Sequence, residues 1–258
     1  MKRLSRAVQS RALGGKPMPV VFSGLPPCRR SEVTLVAGQP GAGKSLWALW
    51  LALGYVREGL RGIYFSADSA ELGQASRALA MWVQNLPVSE AELMLESEDE
   101  WAVGMMEQVN TLYWSFEDDL TYDAIDDEIQ AFWELWGQAP DFVIVDNLTD
   151  VEGQSEDEWA TQRRAMKALV QMARATDSAT VVLHHTSEDD RAKEDPCPSR
   201  KAIVGKPSQK PALILTVADH GDKRPVAVVK DRFGKSDKTG HTATWYWLDE
   251  DTLHWRRA

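Results

Sequence analysis

The chain has 258 residues, of which 43% are hydrophobic, and a formal net charge of -10; this is enough for one full-sized core and short for two complete domains. Its two cysteines, Cys28 and Cys197, lie far apart and in no C-x-x-C or Cys/His cluster, which excludes a disulfide framework and a zinc-finger site. That cysteine usage fits a reducing, cytoplasmic setting, and no apolar run approaches the roughly 20 residues of a membrane span.

The start, "MKRLSRAVQSRALGGK", carries Lys2, Arg3, Arg6 and Arg11 and no acid. That composition also describes a mitochondrial transit peptide; residues 1–17 are read as a basic arm or linker helix and 18–258 as the domain. "EVTLVA" is a short β-branched run and reads as a buried strand, and "SLWALWLALGYVREG" carries apolar residues at helical spacing. Between them lies "GQPGAGKS", Gly38 to Ser45, with the spacing G-x-x-x-x-G-K-S. A triphosphate needs donors from backbone N–H groups, because only backbone lines a tight concave loop without bulk, and Gly38, Gly41 and Gly43 give that freedom. Gln39, Pro40, Ala42 and Leu46 complete the loop. Lys44 reaches the β- and γ-phosphates, and Ser45 offers its hydroxyl to Mg²⁺. ATP and Mg²⁺ are therefore the expected ligands.

"GIYFSA" reads as a second strand, with Asp68 just past its end and Glu71 a turn later, opening the helical pattern "AELGQASRALAMWV". Either carboxylate could orient or deprotonate the attacking water, Asp68 being the better placed. "TLYWS" is a third strand, and "YDAIDDEIQAFWELWG" is a helix with Ile125, Ile129, Phe132 and Trp136 on one face. The fourth strand, "DFVIVDN", sets four apolar residues before Asp146, the Walker B pattern that anchors magnesium opposite Ser45; otherwise Asp146 begins a turn. Ser155 and Glu158 form a capping box before "EDEWATQRRAMKALVQMARA". "ATVVLHH" closes on His184 and His185, which face opposite sides of a strand and so make no metal pair; one should face the γ-phosphate as a sensor, the other core or solvent.

The segment "SEDDRAKEDPCPSRKAIVGKPSQK" is expected to be the least ordered, and after it "ALILTVAD", "PVAVVKDR" and "TATWYWLDE" read as antiparallel strands added at the sheet edge. The alternation of strands and helices implies an α/β fold: a mostly parallel central sheet with helices on both faces and antiparallel C-terminal strands. No Lys or Arg occurs between Arg77 and Arg163, while basic residues gather at the N-terminus and from Arg200 to Lys238. This split fits nucleic acid touched by a few loops, and equally an ordinary solvated surface. Of the eleven tryptophans, Trp47, Trp50, Trp133 and Trp136 lie at helical core spacing, which favours packing over base stacking.

These motifs, in this order, resemble the RecA-like ATPase core of DnaB-type (superfamily 4) replicative helicases, and are also similar to RepA-type hexameric helicases. The likeness covers most of the chain: "AGQPGAGKSLWALWLAL", "GIYFSADSAELGQASRALA", "LYWSFEDDLTYDAIDDEIQ" and "DFVIVDNLTDV" follow that family's P-loop, second strand, acidic turn and Walker B strand. The family's catalytic Glu falls on Asp68, one methylene shorter. "VVLHHTSE" takes the place of its sensor strand, with His185 where a DnaB-type protein carries Gln and with the His-His-Thr of RepA-type proteins. "VVKDRFG" is similar to the K-x-R-x-G segment that family members insert into a neighbour's ATP site, which implies Lys230 and Arg232 as trans-acting fingers. The loop bearing Arg200, Lys201, Lys206 and Lys210 resembles the DNA-tracking loop in position. The likeness does not include that family's large N-terminal domain. It implies a homo-oligomer, expected to be a hexamer, on single-stranded DNA: an ATP-driven helicase or translocase with other replication or recombination proteins as partners. The alternatives are a RecA/RadA-like recombination or annealing ATPase and a non-motor assembly switch.

Overall fold

The computed structural model describes residues 15–67, 69–117, 120–151, 158–187, 195–205 and 207–258. Strand β1 (Val33–Gly38) leads through the glycine loop into α1 (Lys44–Arg57). Then come β2 (Gly62–Ser66), α2 (Glu71–Trp82), α3 (Val88–Glu96), α4 (Glu100–Glu107), β3 (Leu112–Ser115), α5 (Tyr122–Trp136) and β4 (Phe142–Asp146). Helix α6 (Glu158–Thr176) and β5 (Ala179–His185) precede β6 (Leu213–Val217), β7 (Lys223–Asp231), β8 (Ala243–Leu248) and β9 (Trp255–Arg257). The strands form one sheet in the order β3-β2-β4-β5-β1-β6-β7-β8-β9.

Alternation along each strand divides the core in two. On one face Val36, Tyr64, Ile144, Val181 and Leu183 pack under α1, where Trp47, Leu49 and Leu53 are buried. The segment Met18 to Cys28 covers the same helix, with Phe22 stacked on Trp47 at 4.8 Å. On the other face Leu35, Val143, Val145 and Val182 pack against Ile125 and Phe132 of α5 and Leu169 of α6. Parallel registry brings the ends of four strands together: Gly38 stands beside His185 and Ser66 beside Asp146.

Several expectations are corrected. Strand β6 pairs parallel with β1, so it extends the parallel core, and the antiparallel additions begin only at β7. Trp133 is 51% exposed; it lies about 100° round the helix from Phe132, and the narrow apolar stripe of α5 does not reach it. Of the segment expected to be least ordered, residues 188–194 and 206 lie outside the described residues, and the described part holds buried Cys197, Ala202 and Ile203 and two short 3-10 turns, Arg200–Ala202 and Pro207–Gln209. Gly15 and Lys16 exchange backbone hydrogen bonds with Arg30. Residues 1–14 and Ser155 lie outside the described residues. Helices α3 and α4 and strand β9 had not been expected; Asp99, whose carboxylate accepts from Trp101 N–H and Ala102 N–H, was a legible start signal for α4.

Candidate nucleotide site

The glycine loop has the geometry its sequence demands. Gly41 and Gly43 take φ of 76° and 86°, left-handed values that favour glycine. Gly38 is required for a different reason, since a Cβ there would stand 2.6 Å from the Val217 carbonyl oxygen. Gly43 caps α1 without a side-chain hydrogen bond, so the first-turn N–H groups point at the loop's hollow with the positive end of the helix dipole behind them. Lys44 is buried, its ammonium donating to the carbonyls of Gly38 and Gln39 at 3.2 and 3.0 Å. A cleft of about 450 Å³ runs from Gly41, Lys44, Ser45 and Leu46 to Arg77, Val88, Glu250 and Leu253. Its size suits a nucleotide.

Asp146 ends β4 facing α1, and Tyr64 donates a hydrogen bond to its Oδ2 at 3.0 Å. Burial lowers the Lys44 pKa and the Asp146 charge opposes that shift, so the ammonium and carboxylate lie within electrostatic reach. Burial, and then the Asp146 charge, hold the Tyr64 phenol well above its ordinary value. Among the described residues, no group of three His, Cys, Asp or Glu could hold a metal alone. One hydroxyl and one carboxylate beside a phosphate loop instead fit Mg²⁺, which keeps waters and binds through substrate phosphates. Ser45 and Asp146, the residues expected for it from the sequence, would supply that donor set.

The two histidines separate as alternation requires. His184 is buried, with Nε2–H donating to the Val204 carbonyl at 2.9 Å. His185, half-buried, shares the α1 face with Val181 and Leu183 by strand alternation. Burial pushes the His184 pKa down to about 4, with smaller contributions from His185 and Lys44. Because that lies below the ordinary 6.5, as pH falls the unfolded chain takes up a proton that the folded one refuses. Stability is full above pH 6.5 and declines towards pH 4, by about 2 kcal/mol between pH 7 and 5. Urea denaturation at the two pH values checks this, and His184→Gln, which keeps a donor for Val204, should flatten the difference.

Lys230 and Arg232 stand at the other end of the sheet. Arg232 pairs with Glu32 at 3.1 Å, six residues before Gly38 and so about 20 Å along β1 from the glycine loop. It also donates to the Lys210 carbonyl. The Lys230 ammonium donates to the carbonyls of Ser208, Gln209 and Pro211, and its pKa falls to about 8 through burial and the charges of Arg200 and Arg232. Arg200 donates to Ser208 as well. Arg200, Lys230 and Arg232 thus lie within electrostatic reach of one another, and Lys210 and Arg232 face Lys167 and Arg174 of α6 across a cleft of about 380 Å³. Lys201 is exposed on its 3-10 turn, Glu71 is the exposed first residue of α2, and Asp68 and Lys206 lie outside the described residues. Tyr64, Arg77, Lys167 and Arg174 escaped the sequence reading, because what marks them is the register and packing of distant segments.

A strand, glycine loop and helix with Lys44, and Asp146 two strands away at the same end of a parallel sheet, define a P-loop ATPase of RecA-like fold. Residues 15–191 match the family described as AAA domain, and the chain belongs to that family. It is 30% identical over 242 residues to the Gene 65 protein of Mycobacterium phage L5, covering 89% of each. It is 26% identical over 238 residues to the DNA repair protein RadA of Mycobacterium tuberculosis, 89% of this chain and 39% of RadA. The fold is that of the ATPase domain of G40P, with a TM-score of 0.80 at 12% identity over 99% of this chain and 96% of that one. A DnaB-like replicative helicase, described with its interactions with primase, gives 0.79 at 14% identity, over 98% of this chain and 64% of the helicase chain. Among the described residues no helix is long and apolar enough to cross a membrane.

Proposed function

We propose that the protein is an ATP-driven helicase or translocase on single-stranded DNA, working as a homo-oligomeric ring, a hexamer, with ATP hydrolysed between subunits. The observation that supports this is the placement of Arg232: about 20 Å from its own glycine loop along β1, it is out of reach of its own subunit's phosphates, as an arginine supplied in trans would be. In the bound state the loop N–H groups hold the phosphates, and Lys44 exchanges its two carbonyl partners for the β- and γ-phosphate oxygens. Ser45 and Asp146 would hold Mg²⁺, which would supply charge neutralisation for those oxygens. Asp68 or Glu71 orients the water and takes its proton, His185 faces the γ-phosphate, and Arg232, with Lys230 behind it, meets the charge that builds on the transferring group.

The water-orienting role is decided by a pair of variants. Asp68→Ala should lower steady-state ATP turnover by about 10² or more, while Glu71→Ala leaves it near wild type. Full activity in the first with silence in the second would reassign the role.

The loop bearing Arg200, Lys201, Lys206 and Lys210 would hold backbone phosphates without reading bases. Lys201→Ala and Lys206→Ala should then weaken binding equally on different oligonucleotides and reduce its salt dependence. RadA's likeness over 89% of this chain supports the second reading, a recombination or annealing ATPase. Electron microscopy with a nucleotide analogue and oligo-dT, beside forked-duplex unwinding, separates them: closed rings with unwinding support the motor, filaments without it the RadA-like reading, and assembly without DNA an ATP-dependent switch.

A further inference from the structure

Tyr64 and Asp146 sit on adjacent strands of one sheet face. Registry sets Tyr64 beside Ile144 and Ser66 beside Asp146, so Tyr64 is the diagonal neighbour of Asp146, at a spacing an aromatic side chain can span. Its hydroxyl donates to Asp146 Oδ2 at 3.0 Å. The ring is fully buried and cannot swing: Trp114, its registry partner on β3, stacks on it at 4.8 Å and 27°. Trp114 is backed in turn by Phe116, at 5.8 Å and 5°. Phenylalanine would satisfy that packing. A buried hydroxyl is retained where it has a partner, and here the partner is the carboxylate read as the second magnesium anchor.

We propose that Tyr64 is a positioning residue for the metal: by holding Oδ2 it fixes the plane of the Asp146 carboxylate, so that the other oxygen is directed at the Mg²⁺ shell shared with Ser45. The proposal rests on the nucleotide site described above. Tyr64 touches neither nucleotide nor metal, and its effect passes wholly through Asp146. The aromatic stack makes that orientation a property of the folded sheet, present before ligand arrives.

The test is Tyr64→Phe, which keeps the ring and the stack. Affinity for a fluorescent ATP analogue is measured across a magnesium titration and again in EDTA. Expected is a rise of about tenfold in the magnesium concentration at half-effect, the size seen when a metal ligand loses its hydrogen-bonding partner, with affinity in EDTA within twofold of wild type. An unchanged magnesium midpoint overturns the proposal, as does an equal loss with and without the metal, which would mark general loosening of the site. In an Asp146→Asn background the same substitution should leave the magnesium midpoint where it was; a further tenfold rise there would show that Tyr64 acts by another route. Wild-type protein that fails to bind the analogue at all would overturn the nucleotide site itself, a result distinct from an unchanged midpoint with binding intact.

Discussion

Lys44→Ala should abolish ATP hydrolysis and leave the fold standing. The ammonium is buried beneath the glycine loop, where a charged donor is poorly screened, and a single preorganised donor to developing charge is worth about 10² to 10³ in rate. Because Lys44 would also contact phosphate in the bound ground state, ATP affinity should fall too. The fold should survive because neither carbonyl that Lys44 now contacts depends on it: Gly38 also accepts from Thr186 N–H and Gln39 from Ala42 N–H. Steady-state phosphate release beside a thermal melt checks both halves. Wild-type turnover in a folded variant would remove the glycine loop from the chemistry.

Arg232→Ala should bind ATP almost normally and lose hydrolysis by about 10³ to 10⁵, the range for an arginine supplied in trans. Its local contacts predict little else. The guanidinium is 41% exposed and pairs with Glu32 at the surface, an interaction worth at most about 1 kcal/mol. Mixing gives the sharper result. An Arg232→Ala subunit keeps a working glycine loop, and a Lys44→Ala subunit keeps a working arginine, so interfaces that join the two should regain ATPase while each variant alone stays silent. Silence in the mixture, with subunit exchange demonstrated by labelled protein, would rule out a shared site.

How much of this was legible in the sequence depended on how local the information is. The glycine loop, Lys44, Ser45 and Asp146 announce themselves within a few residues, because phosphate binding needs a particular backbone path and the metal an acid after an apolar strand. Strands β1, β4 and β5, β-branched runs, and β2, with Ile63, Tyr64 and Phe65 in sequence, were equally plain, being buried on both faces. Helices α3 and α4 were not, since each buries a single alanine, Ala91 and Ala102, while Leu93 and Trp101 face outward; hydrophobic period says little about such a helix. Nor could the sequence show that Lys230 spends its donors on three carbonyls of its own chain, or that Lys167, Lys210 and Arg232 line one cleft. Those facts belong to pairings between segments dozens of residues apart.

The sheet ends on two short strands, four residues at β3 and three at β9. An open sheet of nine strands offers unpaired N–H and C=O groups along both margins, and a long, flat margin invites another chain to add a strand and propagate. Here one margin is brief, and the other carries the exposed charges of Arg256 and Arg257. Copies of this protein would therefore be expected to meet through side chains instead of by continuing a backbone ladder. A side-chain contact can be made and released one residue at a time, whereas a shared ladder commits whole chains at once and is how soluble proteins turn into fibres.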